Sequence, residues 1–194
     1  MNFDFAGEVN PLITKHDFVG ALKIAEFNLS KVKNNDFHSI IGKSLASQVD
    51  SVVEWVNEFY DSVSGTTKVA ALYFEFTEFD INQDVWEIDG FAYDRDEGLD
   101  DIDWFSDMTE VAPVPFIVKG YEELQEAFYE LGNLDEPSDD LVFSRDWCEQ
   151  IVIIRFAELM VSAHQAAKTQ NLAWASIPLY FTEHGYDFII KSTD

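Results

Sequence analysis

Two apolar runs, KVAALYFEFTEF at 68–79 and VWEIDGFAY at 85–93, stand on either side of a short polar connection at 80–84. Both runs are rich in aromatic and β-branched residues, which is typical of strands. The short connection predicts that they pair as an antiparallel hairpin. If Phe79 lies opposite Val85, the even-numbered residues share one face and the odd-numbered residues share the other.

The two faces of this hairpin differ in chemistry. The even face is apolar and is expected to meet a buried helix: it holds Leu72, Phe74, Phe76, Trp86, Ile88 and Ala92. The odd face holds Tyr73, Glu75, Thr77, Glu87, Asp89, Phe91 and Tyr93. In this register Glu75 lies opposite Asp89, and like charges directly opposed weaken a sheet. The odd face is therefore a candidate interface, in which aromatic residues anchor and charges steer; an ordinary solvated face is the alternative.

Further elements follow on both sides of the hairpin. Apolar spacing predicts helices at 14–29 (capped by Thr14), 36–63, 120–131 and 141–169, and strands at 114–119, 177–183 and 186–191. Helices come first, strands cluster in the middle and at the end, and no βαβ unit repeats. This order predicts an α+β fold in one domain over residues 1–194. We expect a mainly antiparallel sheet of about five strands, packed against N-terminal helices and a long buried C-terminal helix.

The charge is extreme and unevenly spread. The 194 residues include 37 Asp and Glu against 12 Lys and Arg, for a net charge of −25. Residues 75–140 hold 22 of the acids and two of the bases. So strong a negative field opposes folding and favours capture of a positive partner. Direct binding to nucleic-acid phosphates is not expected, because 12 scattered cations cannot build a basic patch. Solubility or adaptation to high salt would also explain the acidity.

An acidic loop, residues 94–110, surrounds the adjacent aromatic residues Trp104 and Phe105. These two form either a binding hot spot ringed by charge or a core contact that pins the loop. The candidate partner-binding residues combine the odd face with this loop: Glu75, Glu87, Asp89, Tyr93, Asp94, Asp96, Glu97, Asp100, Asp101, Asp103, Trp104 and Asp107. On the predicted helix that follows, Glu122, Glu126 and Glu130 form another negative stripe.

Motifs for chemistry are missing from the sequence. Residues 80–91 start like a calcium loop, but Val85 stands where that loop needs Gly and Phe91 where it needs Glu. Four scattered His and the single Cys148 predict no zinc site and no internal disulfide. Isolated glycines exclude the phosphate-binding loops. We expect no catalytic residue, metal or cofactor, with a carboxylate- or metal-dependent enzyme as an alternative.

The sequence also bears on location. The first 17 residues have no basic segment followed by an apolar run, which a signal peptide needs. The most apolar stretch, residues 151–161, contains Arg155 and Glu158 and is shorter than the ~20 residues of a membrane span. The expected location is therefore the cytoplasm, without membrane contact.

With its acidic middle, its aromatic-bearing loop and its closing LYFTEHGYDFIIK segment at 179–191, the chain resembles bacterial immunity proteins, which are small acidic α+β inhibitors of toxins. The resemblance implies a single toxin partner, often a basic nuclease, that is blocked by direct occlusion. No functional residues carry over from it. We therefore expect a non-enzymatic protein that neutralises a basic protein, either a toxin domain or a DNA-binding protein. The alternative is a DNA mimic, which presents carboxylates in place of phosphates to DNA-binding proteins.

Overall fold

A computed structural model describes residues 2–77, 79 and 85–192 and confirms the α+β class. Within these residues the α-helices are α1 (Phe3–Ile13), α2 (Phe18–Leu29), α3 (Val49–Val63), α4 (Glu122–Gly132) and α5 (Asp139–Gln170). The strands are β1 (Ala71–Phe76), β2 (Glu87–Tyr93), β3 (Glu110–Val111), β4 (Phe116–Ile117), β5 (Leu179–Glu183) and β6 (Ile190–Lys191). The predicted turn at 80–84 lies outside the described residues.

The described residues divide into two compact units. The helical unit draws on Met1–Leu45, Glu78–Trp86 and Val118–Glu158, and so contains α1, α2, α4 and the first part of α5. The sheet unit draws on Ala46–Thr77, Glu87–Ile117 and Leu159–Asp194, and so contains α3, the strands and the last part of α5.

The N-terminal residues form two helices where one was predicted. The apolar spacing correctly indicated α2, but Asp17 caps it, with its side chain accepting from the Gly20 amide at 2.9 Å. Thr14 instead ends α1, an element that the prediction missed. The Asn2 side chain caps α1, because it accepts from the amides of Asp4 and Phe5.

The predicted helix at 36–63 is wrong in its first half. Only α3 is α-helical, and the residues before it form 3₁₀ turns at Asp36–Ile40 and Ala46–Gln48. Gly42 has a φ of 75°, which a continuous α-helix does not allow. The apolar spacing was misleading because residues in and between these turns, such as Ile40 and Leu45, are also buried.

The register of the central hairpin is confirmed. Glu75 pairs with Asp89 and Phe74 pairs with Gly90 in the antiparallel ladder of β1 and β2. Leu72, Phe74, Phe76 and Ile88 of the even face are all buried. Within the sheet unit, Trp55 of α3 packs on this face, with its ring 5.5 Å from that of Phe74.

The sheet has the strand order β3-β2-β1-β5-β6, and β4 also pairs with β2. Its pairings are antiparallel except at the centre, where β1 and β5 are parallel and Tyr73 lies beside Tyr180. The expected antiparallel arrangement is therefore only partly correct. A parallel pair needs a long crossover, and the more than 100 residues between β1 and β5 supply one.

The two later helices largely match their predicted ranges. α4 matches 120–131 closely, whereas α5 begins at Asp139, two residues before the predicted start at residue 141. The middle of α5 is buried, as predicted for the C-terminal helix, since Ile151, Val152 and Ile154 expose no surface. In the described part of the chain, no helix combines the length and apolar character that crossing a membrane requires.

Candidate functional site

The odd face of the hairpin presents three carboxylates on neighbouring strands. Glu75 on β1 lies directly opposite Asp89 on β2, and Glu87 lies two residues before Asp89 on the same face. All three side chains are partly buried. On the other side of β1, Thr182 of β5 is the register partner of Glu75. A row of polar side chains therefore runs across three strands of the sheet.

Two side chains hold the Glu75 carboxylate. The Tyr73 hydroxyl donates to Oε2 at 2.7 Å, and the His184 ring contacts Oε1 through Nδ1. His184 reaches this position because it directly follows β5, where its amide donates to the Phe76 carbonyl at 2.8 Å. The sequence predicted His184 only as part of the short connection between the strands at 177–183 and 186–191. Its contact with Glu75 depends on the parallel pairing of β1 with β5, which no local pattern indicates.

Burial and a neighbouring carboxylate disfavour the ionisation of two acids on this face, Asp89 and Glu87. Burial raises the pKa of Asp89, and the charge of Glu75 raises it further, while His184 acts in the opposite direction. Burial and the charge of Asp89 likewise raise the pKa of Glu87. Burial also raises the pKa of Tyr73, so that its hydroxyl remains a donor to Glu75. A cation placed over this face would relieve the repulsion.

The aromatic residues of the acidic loop fold onto the odd face. Trp104 is only 3% exposed, and its ring lies 4.0 Å from that of Phe105 and 5.7 Å from that of Tyr180. Phe105 in turn contacts Tyr73 and Tyr93. Of the two roles considered for Trp104 and Phe105, the packing therefore shows the one that pins the loop.

Hydrogen bonds within the acidic loop and between the loop and the sheet hold the loop in place. The donors are side chains of the aromatic cluster: Trp104 Nε1 to the Gly98 carbonyl (2.9 Å), Tyr93 hydroxyl to the Phe105 carbonyl (2.8 Å) and Tyr180 hydroxyl to Asp96 Oδ1 (2.6 Å). Arg95 bridges two acids of the loop, Glu97 at 2.7 Å and Asp107 at 2.8 Å. The carboxylates of the loop are thus displayed on a fixed scaffold.

All twelve predicted site residues lie in the sheet unit. Seven are exposed: Asp94, Asp96, Glu97, Asp100, Asp101, Asp103 and Asp107. Glu75, Glu87 and Asp89 are partly buried, whereas Tyr93 and Trp104 are buried and lie beneath the loop. Residues 87–117 hold ten acids and one base, Arg95. The odd face and the acidic loop together are called the acidic surface below.

The rest of the acidic stretch belongs to the helical unit. Residues 118–140 contain eight acids. Three of them, Glu123, Glu126 and Glu130 on α4, line an open cleft of about 630 Å³ together with Asp36 and His38. The structure therefore divides the negative stretch, which is continuous in the sequence, between two units.

The described residues present neither a metal-binding cluster nor a reactive thiol. Among residues 2–77, 79 and 85–192, no three His, Cys, Asp or Glu side chains are grouped so that they could hold a metal ion. Cys148 exposes no surface, and burial raises the pKa of its thiol well above the ordinary value. A thiol in this setting is a poor nucleophile.

Comparisons with known proteins add no family. No family model matches the chain, and neither a curated protein nor a solved structure matches it. The chemistry of the acidic surface is therefore the basis for assigning a function.

Proposed function

We propose that this chain is a non-enzymatic acidic protein that binds a basic partner protein through its acidic surface and blocks the partner by occlusion. The specific form that we favour is an immunity protein that inhibits a toxin, with a nuclease as the class of toxin. That specific form rests on the resemblance in size, charge and layout to immunity proteins.

The observation that carries the proposal is the pair Glu75 and Asp89. A pair of like charges directly opposed across two strands weakens the sheet by up to ~1 kcal/mol. Here the pair lies on the two most extensively paired strands of the sheet, and the pKa of Asp89 is raised by burial and by Glu75. An arrangement that opposes stability is expected where the charges serve binding.

The acidic loop supports the same function. Its exposed carboxylates are attached to a buried aromatic cluster around Trp104, so little conformational freedom is lost when a partner binds. A fixed negative surface accelerates encounter with a positive one, and the acceleration weakens as salt rises. A standard interface needs only ~800 Å² from each partner, and the acidic surface comprises one face of two strands and a 17-residue loop.

The test is a capture experiment on a lysate of the source cell, with elution along a salt gradient. It compares the wild type with the triple variant D100K/D101K/D103K. The control variant, E8K/D135K/E136K, reverses three exposed acids of the helical unit and has the same net charge.

We expect the wild type and the control to retain one discrete basic protein above physiological salt, and the D100K/D101K/D103K variant to release it. Equal retention by all three proteins would contradict the proposal. Recovery of many DNA-binding proteins by the wild type would instead support a DNA mimic.

A further inference from the structure

The exposed apolar side chains of the sheet unit are concentrated in one segment. Among the described residues of this unit, the exposed large hydrophobic side chains are Leu99, Met108, Val111, Val114 and Ile117. All lie between residues 99 and 117, a segment that also holds five acids of the acidic surface. Single exposed aliphatic residues are ordinary, whereas a cluster indicates an interaction site.

Two of these side chains flank the carboxylates of the odd face. Val111 of β3 pairs with Phe91, and Ile117 of β4 pairs with Glu87. Paired residues of adjacent strands project from the same face of a sheet. Val111 and Ile117 therefore lie on the odd face, on either side of Asp89 along the outer edge of β2.

A further exposed side chain, that of Val114, lies between β3 and β4, where contacts of the backbone fix its position. The Trp55 indole donates to the Val114 carbonyl at 2.8 Å, and the Ala112 amide donates to the Gly90 carbonyl at 2.7 Å. Prolines at 113 and 115 restrict the chain on both sides. The Val114 side chain is nevertheless 64% exposed. A residue whose backbone is fixed in this way loses little conformational entropy when a partner covers it.

We propose that Val111, Val114 and Ile117, called the apolar edge, anchor the partner beside the acidic surface. The partner is then a protein that presents an apolar patch next to its basic groups. This inference rests on the proposed function and specifies its partner. A second copy of the chain does not fit, because it would bring two surfaces of ten acids and one base together.

The test uses two labelled synthetic peptides of equal length and charge, one alternating Lys with Ser and the other alternating Lys with Leu. Both are titrated onto the whole chain at about 150 mM salt, where charges are screened beyond ~8 Å. The variant V111S/V114S/I117S removes the apolar edge. The control F3S/V19S/F27S removes three exposed apolar side chains of the helical unit.

We expect the wild type and the control to bind the Lys–Leu peptide about tenfold more tightly than the Lys–Ser peptide, since burial of aliphatic area favours binding. In V111S/V114S/I117S the two peptides should bind within about twofold of each other, with the affinity for Lys–Ser unchanged. The inference is overturned if the wild type shows no preference, or if the two triple variants lose it equally. It is also overturned if the wild type sediments as a dimer and V111S/V114S/I117S as a monomer.

Failure of the underlying function would look different. In that case D100K/D101K/D103K would bind the Lys–Ser peptide as tightly as the wild type does. If D100K/D101K/D103K weakens both peptides while V111S/V114S/I117S changes neither, the acidic surface stands and the apolar edge alone is rejected.

Discussion

Glu75 and Asp89 lie directly opposite each other on β1 and β2, and His184 contacts Glu75 from the end of β5. The two carboxylates therefore differ in their surroundings. Glu75 accepts from the Tyr73 hydroxyl as well, whereas burial and the charge of Glu75 raise the pKa of Asp89. Because of this difference, substitutions of Glu75 and of Asp89 should have different effects on stability.

Replacement of Asp89 by Asn should stabilise the fold. The variant removes the repulsion with Glu75, so the free energy of unfolding at pH 7 should rise by up to ~1 kcal/mol in urea titrations. Glu75→Gln is the matched comparison. It removes the same repulsion but weakens the contacts with Tyr73 and His184, so it should stabilise less than D89N or should destabilise. A less stable D89N protein would contradict this account of the pair.

The advantage of D89N should depend on pH. Because the pKa of Asp89 is raised in the fold, the folded state holds this proton more tightly than the unfolded state does. Stability from this group is therefore lost as pH rises from its ordinary pKa, about 3.9, through the raised value. The difference in unfolding free energy between D89N and the wild type should grow over that window and level off above it. The difference in unfolding free energy between Glu87→Gln and the wild type should also grow with rising pH, since the pKa of Glu87 is raised too. If the difference in unfolding free energy between D89N and the wild type shrinks as pH rises, the pKa of Asp89 is not raised in the fold.

Trp104 should be essential for the order of the acidic loop. Its side chain is 3% exposed and contacts both Phe105 and Tyr180. Trp104→Ala should lower the free energy of unfolding by about 3–5 kcal/mol. Tyr180→Phe removes only the hydroxyl that donates to Asp96, so hydrogen exchange should speed up in the loop while the rest of the sheet unit stays protected. Unchanged exchange in both variants would contradict the pinned loop.

Gly90 has little space for a side chain, because its neighbours on the even face lie close to it. A Cβ at this position would lie 3.2 Å from the Trp55 ring and 3.2 Å from the Ala112 Cβ. Gly90→Ala should destabilise the protein by about 1–3 kcal/mol. Gly7→Ala is the control, since a Cβ there meets nothing within 4 Å inside α1, and Ala favours a helix by about 1 kcal/mol over Gly. Thermal unfolding should therefore show a lower melting temperature for Gly90→Ala and a higher one for Gly7→Ala.

Local patterns predicted the elements with clear periodicity. Alternation over 71–76 and 87–93 was sufficient for the register, since a shift of one residue would have exposed Phe74 and Ile88. The break at Gly42 was missed, because the apolar spacing continues through the 3₁₀ turns that replace the helix. Within residues 14–63, helical spacing therefore predicted only α2 and α3 correctly.

The candidate site was predictable in composition but not in arrangement. The acids of the acidic loop are visible in the sequence, whereas the position of Trp104 beneath them depends on tertiary packing against Tyr180. The contact of His184 with Glu75 and the exposure of Val111 and Ile117 beside Asp89 depend on pairings of strands distant in the chain. A sequence pattern carries no information on such pairings.

The central claim, that the acidic surface binds a basic protein, is tested most directly by the association rate constant of the captured partner at several salt concentrations. The measurement compares the wild type, D100K/D101K/D103K and the control E8K/D135K/E136K by stopped flow. We predict a steep fall of the rate with salt for the wild type and the control. For D100K/D101K/D103K we predict a rate at least about tenfold lower at low salt and a much shallower dependence. Equal rates and equal salt dependence for the three proteins would contradict the account.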